Sequence, residues 1–92
     1  MKRSLLHYVA CQADSHYPMD LYVFREKTQV LSGVLFCSKC FRWYPIKNGL
    51  PEILPDCLRD LAVERSFLRN WNMLLPKKVL YLGKPFNLEK ER

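Results

Sequence analysis

Four thiols carry most of the chemistry in this chain: Cys11, Cys37, Cys40 and Cys57. Cys37-Ser38-Lys39-Cys40 is the sharpest pattern, because two thiolates separated by two residues on a turn can both reach one Zn²⁺ at ~2.3 Å. Zinc takes four ligands, so a second knuckle must complete the set. That knuckle starts at Cys11, but Asp14 stands where the partner of a Cys-x-x-Cys pair would sit. A carboxylate ligates zinc at ~2.0–2.2 Å, which makes Cys11, Asp14, Cys37 and Cys40 a chemically sound tetrahedral set. His16 is the rival fourth ligand; imidazole is common in structural sites, but the step from Cys11 demands a longer loop. The plainer reading of any one cysteine is a small buried hydrophobe. Cys57 does not fit the knuckle spacing and reads as a non-ligand.

The same residues argue against catalysis. A catalytic zinc keeps an open position beside a general base. The two histidines, His7 and His16, form no HExxH and no HxE pairing with a Cys-x-x-Cys. Three glycines offer no GxGxxG, GxxxxGK[ST] or GxSxG motif. A redox dithiol at Cys37 and Cys40 would call for a surrounding βαβ pattern, which is missing. The expectation is a chain that is not an enzyme.

The elements that must position these ligands fit into one small body. The chain has 92 residues, 49% apolar, 26% charged and 13% aromatic, which is globular composition. A body of this size buries only ~60–65% of its unfolded surface and tends to rely on a metal, disulfides or a partner. No apolar run approaches the ~20 residues of a membrane span. The start, Met1-Lys2-Arg3, turns apolar like a secretion signal, but His7 breaks the stretch and no small-x-small site follows. The expectation is a soluble cytoplasmic protein, where a metal is favoured over disulfides. The apolar surplus suggests an exposed docking face. The net charge of +6 divides into +2 over residues 1–56 and +4 over 57–92, a field that helps approach to RNA or an acidic protein.

Residues 4–10 read as a short helix or lead-in, with Ser4 as cap and Leu5, Leu6 and Val9 facing inward. Leu21–Arg25 and Val30–Phe36 read as strands of one hairpin, with Gly33 as a bulge or bend. Phe41–Ile46 reads as a third strand, with Pro45 at an edge. Asn48-Gly49 is a turn, and Leu50–Pro55 is extended. From Asp56, read as an N-cap, the period changes: Leu58, Leu61, Ala62, Leu68, Trp71 and Leu75 share one helical face ending before Pro76. A second helix covers Lys77–Leu82, Gly83 stops it, and the tail from Asn87 to Arg92 frays. The fold expected is α+β: a small zinc-ribbon-like antiparallel sheet over residues 1–56 with a helical extension over 57–92, packed as one unit.

Four stretches resemble a known family. They are Ser4-Leu5-Leu6 with Ala10-Cys11; Asp14 with Tyr17-Pro18-Met19-Asp20-Leu21; Gly33-Val34-Leu35-Phe36-Cys37-x-x-Cys40-x-Arg42-Trp43-Tyr44-Pro45-Ile46; and Asn48-Gly49-Leu50-Pro51-x-Ile53-Leu54. The chain resembles the small zinc-binding activator subunit of SAM-dependent methyltransferases that modify tRNA, rRNA and translation release factor, in its short archaeal form. One position departs: Asp14 stands where members with a complete site carry cysteine. The resemblance implies structural Zn²⁺ and a non-catalytic subunit. It also implies a heterodimer with a Rossmann-like methyltransferase, through which RNA contact is open. The apolar, proline-punctuated segment suits β-augmentation, placing the interface on Tyr44, Pro45, Ile46, Leu50, Pro51, Ile53 and Leu54. The competing reading is a nucleic-acid-binding zinc ribbon, with Arg42, Trp43 and Tyr44 as stacking and phosphate contacts.

Overall fold

The computed structural model describes residues 1–89. Four strands form one antiparallel sheet in the order β1 (Asp20–Glu26), β2 (Val30–Phe36), β3 (Trp43–Lys47) and β4 (Leu50–Pro51). Two helices follow, α1 (Leu61–Asn70) and α2 (Lys77–Leu82). The hairpin β1–β2 pairs as its aromatic and β-branched runs predict, with Asp20 opposite Phe36 and Val23 opposite Gly33. The register shifts twice: Phe24 is the extra residue on β1, immediately after the Val23–Gly33 pair, and Leu31 is the extra residue on β2. Gly33 is required by close approach, since a Cβ there would lie 2.4 Å from the carbonyl oxygen of Tyr22. Asn48 (φ 51°) and Gly49 (φ 79°) form the tight turn between β3 and β4, the left-handed pair that a two-residue hairpin loop favours.

Strand alternation gives the sheet two covered faces. On one, Tyr22, Phe24, Val34, Phe36 and Trp43 pack against Phe67, Leu68, Leu75, Val79, Leu80 and Leu88 from the helical segment. The Trp43 and Phe67 rings stack with centroids 5.8 Å apart, and Phe24 stacks on Trp71 at 4.6 Å. On the other face, Leu35, Tyr44 and Ile46 pack with Met1, Cys11, Met19 and Cys37, while Leu6 and Val9 close over them. The nitrogen of Met1 donates to Val30 O at 2.7 Å and to Gln29 Oε1 at 3.1 Å, fastening the first residue to β2.

The helical half departs from the sequence reading. Arg3–His7 is a 3₁₀ turn with no side-chain cap, and Leu5 is exposed. Asp56 does not cap a helix. It forms an ion pair with Arg42 at 2.8 Å, and residues 56–58 make a separate 3₁₀ turn. Asp60 is the cap of α1, accepting from the Val63 N–H at 2.9 Å. The buried face of α1 is therefore Glu64, Phe67 and Leu68, while Leu58, Leu61 and Ala62 face outward. Starting the helix four residues early puts Leu58 on a stripe it does not share, and a buried glutamate hides the true one.

The second helix ends at Leu82 as expected, but Gly83 is extended (φ −65°) and buried. Leu88 is also buried, with its N–H donating to Leu80 O at 2.7 Å, so the expected fraying does not include Asn87 and Leu88. Residues 90–92 lie outside the described residues.

Candidate metal centre

Two knuckles build the site, and the backbone makes them copies of each other. In the first, the Ser15 N–H donates to Cys11 O at 2.8 Å and the Cys11 N–H to His16 O at 2.9 Å. In the second, the Phe41 N–H donates to Cys37 O at 2.8 Å and the Cys37 N–H to Arg42 O at 2.8 Å. The fifth residue of each turn is left-handed, Ser15 at φ 62° and Phe41 at φ 68°, a region that non-glycine residues rarely adopt. The left-handed residue at the tip closes each loop so that the first and fourth side chains point the same way. Asp14 therefore occupies in its loop the place that Cys40 holds in the other.

Four side chains converge. Cys11 Sγ lies 3.6 Å from Cys40 Sγ, and Cys37 Sγ lies 3.6 and 3.5 Å from the two Asp14 carboxylate oxygens. The four ligand atoms all lie within 4.8 Å of one another. A tetrahedral ion with metal–sulfur bonds of ~2.3 Å needs sulfur–sulfur edges of roughly 3.8 Å, so the residues present fit a four-coordinate metal. His16 is outside this set. It acts through its backbone, donating its N–H to Asp14 Oδ1 at 3.0 Å. Cys57 is exposed on the 56–58 turn, away from the cluster.

The electrostatics point the same way. The His16 N–H holds the Asp14 carboxyl down to about 2, with the neighbouring thiols adding to the effect, so this ligand is an anion at neutral pH. Burial pushes the Cys37 thiol up to about 12. A buried thiol of that kind becomes a ligand only against a cation. Tyr44 supplies the outer contact: its hydroxyl accepts from the Gln12 N–H at 3.2 Å and lies 3.2 Å from Cys11 Sγ, leaving its proton for the sulfur. Burial, followed by Cys11, raises the Tyr44 hydroxyl above its ordinary value. Sequence reasoning treated Tyr44 as an interface residue; its role beside Cys11 becomes visible only once β3 is placed against the first knuckle.

Asp14→Ala is expected to weaken metal binding by at least ~10-fold, more than the usual loss from an outer-shell change. His16→Ala keeps the backbone N–H and should leave affinity within about twofold. Competition with a chromophoric chelator measures both.

The expected interface residues divide. Tyr44, Pro45 and Ile46 are buried inside the chain, because β3 is an interior strand with both faces covered. Its outer edge is occupied as well: the Trp43 N–H donates to Lys84 O at 3.1 Å, and Pro45 O accepts from the Glu52 N–H at 2.8 Å. Tyr44 and Ile46 thus present no surface to a partner, while Pro45, though buried, lines the cleft between the 52–60 segment and α1. Leu50 and Leu54 are exposed, and Pro51 and Ile53 are half-buried. The stacking surface imagined on Arg42, Trp43 and Tyr44 is overturned likewise, since both rings are buried and Arg42 is paired with Asp56.

Comparison with known proteins agrees with this geometry. A family model described as Trm112p-like protein matches residues 2–49. Among solved structures, the chain is similar to a chain of the complex between the Haloferax volcanii Trm112 methyltransferase activator and the putative methyltransferase. The TM-score is 0.57 at 28% identity, covering 63% of this chain and 100% of that one. No curated protein matches. With the family model spanning both knuckles, the hairpin and β3, the chain belongs to the Trm112p-like family.

Proposed function

We propose that this chain is the non-catalytic activator subunit of a Rossmann-like SAM-dependent methyltransferase. It forms a cytoplasmic heterodimer whose enzyme modifies tRNA, rRNA or a translation release factor. Residues 1–56 carry the metal and the docking rim, and 57–92 are a helical extension packed on them. Cys11, Asp14, Cys37 and Cys40 hold a structural Zn²⁺, the ion that a sulfur-rich four-ligand set suits best. In that place the ion joins two loops and performs no chemistry on a substrate. No helix among the described residues is long and apolar enough to cross a membrane.

The observation that carries the reading is an apolar rim that the chain leaves uncovered. Leu50 is 69% exposed and Leu58 66%, with Leu54 and Val63 also exposed. Leu54, Leu58 and Val63, with Pro45 and five charged side chains, line a cleft of about 170 Å³ between the 52–60 segment and α1. Leu50–Leu54 borders β4, a strand of two paired residues whose outer edge can accept another strand. A methyltransferase that covers this rim only when folded is stabilised by mass action. The solved chain it resembles comes from a complex of an activator with a methyltransferase, which supports the same assignment.

Co-expression tests it. Leu54→Asp with Leu58→Asp changes two exposed side chains and should cut the recovery of soluble methyltransferase at least ~10-fold, while the variant alone keeps its metal and its circular dichroism. Undiminished recovery would refute this placement. Ile46→Asp is not an interface test, because Ile46 is buried in the chain's own core.

A further inference from the structure

Exposed aromatic rings are confined to one place on this surface. Tyr8 is 84% exposed and Tyr17 is 62% exposed, while every other aromatic side chain is buried or half-buried. Both line the same open cleft of about 500 Å³, together with His7, Ala10 and Ser15. Two independent elements bring them there. Tyr8 closes the 3₁₀ turn at Arg3–His7, its N–H donating to Leu5 O at 2.9 Å. Tyr17 follows directly on the first metal knuckle, which is tied shut by the Cys11 N–H bond to His16 O.

We propose that the Tyr8–Tyr17 cleft is a stacking seat for unpaired nucleotides of a single-stranded RNA. The rim taken above for the methyltransferase mixes leucines and valine with charged side chains and carries no aromatic ring, whereas this cleft offers π faces with polar edges. That is the chemistry that receives nucleobases of any sequence. Ala10 and Ser15 are small, so the space between the rings stays open. The Ser15 hydroxyl and the His7 imidazole, beside the two phenol hydroxyls, can hydrogen-bond a ribose 2′-OH. The charge suits a phosphate backbone: the chain carries +6, and Lys2 is exposed at the start of the turn that Tyr8 closes. Of the acids on the same elements, Asp14 faces the thiols and Glu26 is paired with Arg3 at 2.8 Å, while Asp20 is exposed. The proposal stands independently of the methyltransferase assignment.

The test uses the full, metal-loaded chain and a labelled oligouridine RNA, with binding followed by fluorescence anisotropy at low and moderate salt. The wild type should bind with an affinity that falls as salt rises. Tyr8→Ala with Tyr17→Ala should weaken binding at least ~10-fold, and Tyr8→Phe with Tyr17→Phe should stay within about twofold. Both pairs should keep wild-type metal content and circular dichroism, because the replaced rings are exposed. Absence of wild-type binding would overturn the proposal, as would equal affinity in the alanine pair. Equal affinity for oligothymidine DNA or for duplex RNA would overturn it too. If the alanine pair loses methyltransferase recovery while RNA binding is unchanged, the cleft is a protein-docking face and the proposal fails.

Discussion

Replacing Cys37 by serine should abolish metal binding at the four-residue cluster and lower the melting temperature by roughly 12–24 °C, the shift that a loss of about 3 kcal/mol produces in a domain of this size. Structural zinc sites return much of their binding energy as folding energy, so a loss on that scale is modest for such a site. Cys37 is fully buried at the end of β2 and belongs to the same core as Leu35, Tyr44 and Ile46. The first knuckle meets the second chiefly through the converging ligands, and separating those ligands frees both loops. Chelation of the wild type should reproduce the melt of the variant. Cys57→Ser, on an exposed turn outside the cluster, should change stability by no more than ~0.5 kcal/mol. A wild-type melt insensitive to chelation would show that the loops are held by packing alone.

Arg59→Met should destabilise the protein by about 3–5 kcal/mol, the cost of leaving one member of a buried ion pair alone. The Arg59 side chain is 2% exposed and that of Glu64 7%, and the Arg59 Nε–H donates to the Glu64 carboxylate. Its two terminal nitrogens are buried without a hydrogen-bond partner among the described residues, and the guanidinium lies over the rings of Trp43 at 4.7 Å and Tyr44 at 5.3 Å. Burial of a half-satisfied pair implies that an apolar pair of similar volume would serve nearly as well. Arg59→Met with Glu64→Leu should therefore recover most of the loss. Urea denaturation of the two single variants and the double one gives the coupling. A neutral Arg59→Met would mean that Glu64 reaches water or another donor once the arginine is gone.

The sheet and the convergence of Cys11, Asp14, Cys37 and Cys40 were legible because their signals are local. Cys-x-x-Cys spacing, a strand-forming run on either side of Gly33 and an Asn-Gly turn each act within a few residues. The equivalence of Asp14 and Cys40 was legible for the same reason: both are the fourth residue of a knuckle. The helix boundary was misplaced because Asp56 and Asp60 are equally good caps on paper, and Arg42, distant in sequence, decides between them. The interface residues were misassigned in part because an apolar strand reads alike whether it faces a partner or two layers of its own chain. Only the placement of Met1, Cys11 and the helices on opposite faces of β3 settles that Tyr44, Pro45 and Ile46 are interior.

The stacking of Trp43 on Phe67 and of Trp71 on Phe24 places both indoles on the helix-bearing side of the sheet. Tryptophan emission is thus blind, in the first instance, to events around the thiols, whereas Tyr44 touches them directly. Light emitted by the indoles can register loss of the ion only after the disturbance has crossed the thickness of one strand. Tyr44 and the two indoles therefore report on opposite sides of a single molecular partition.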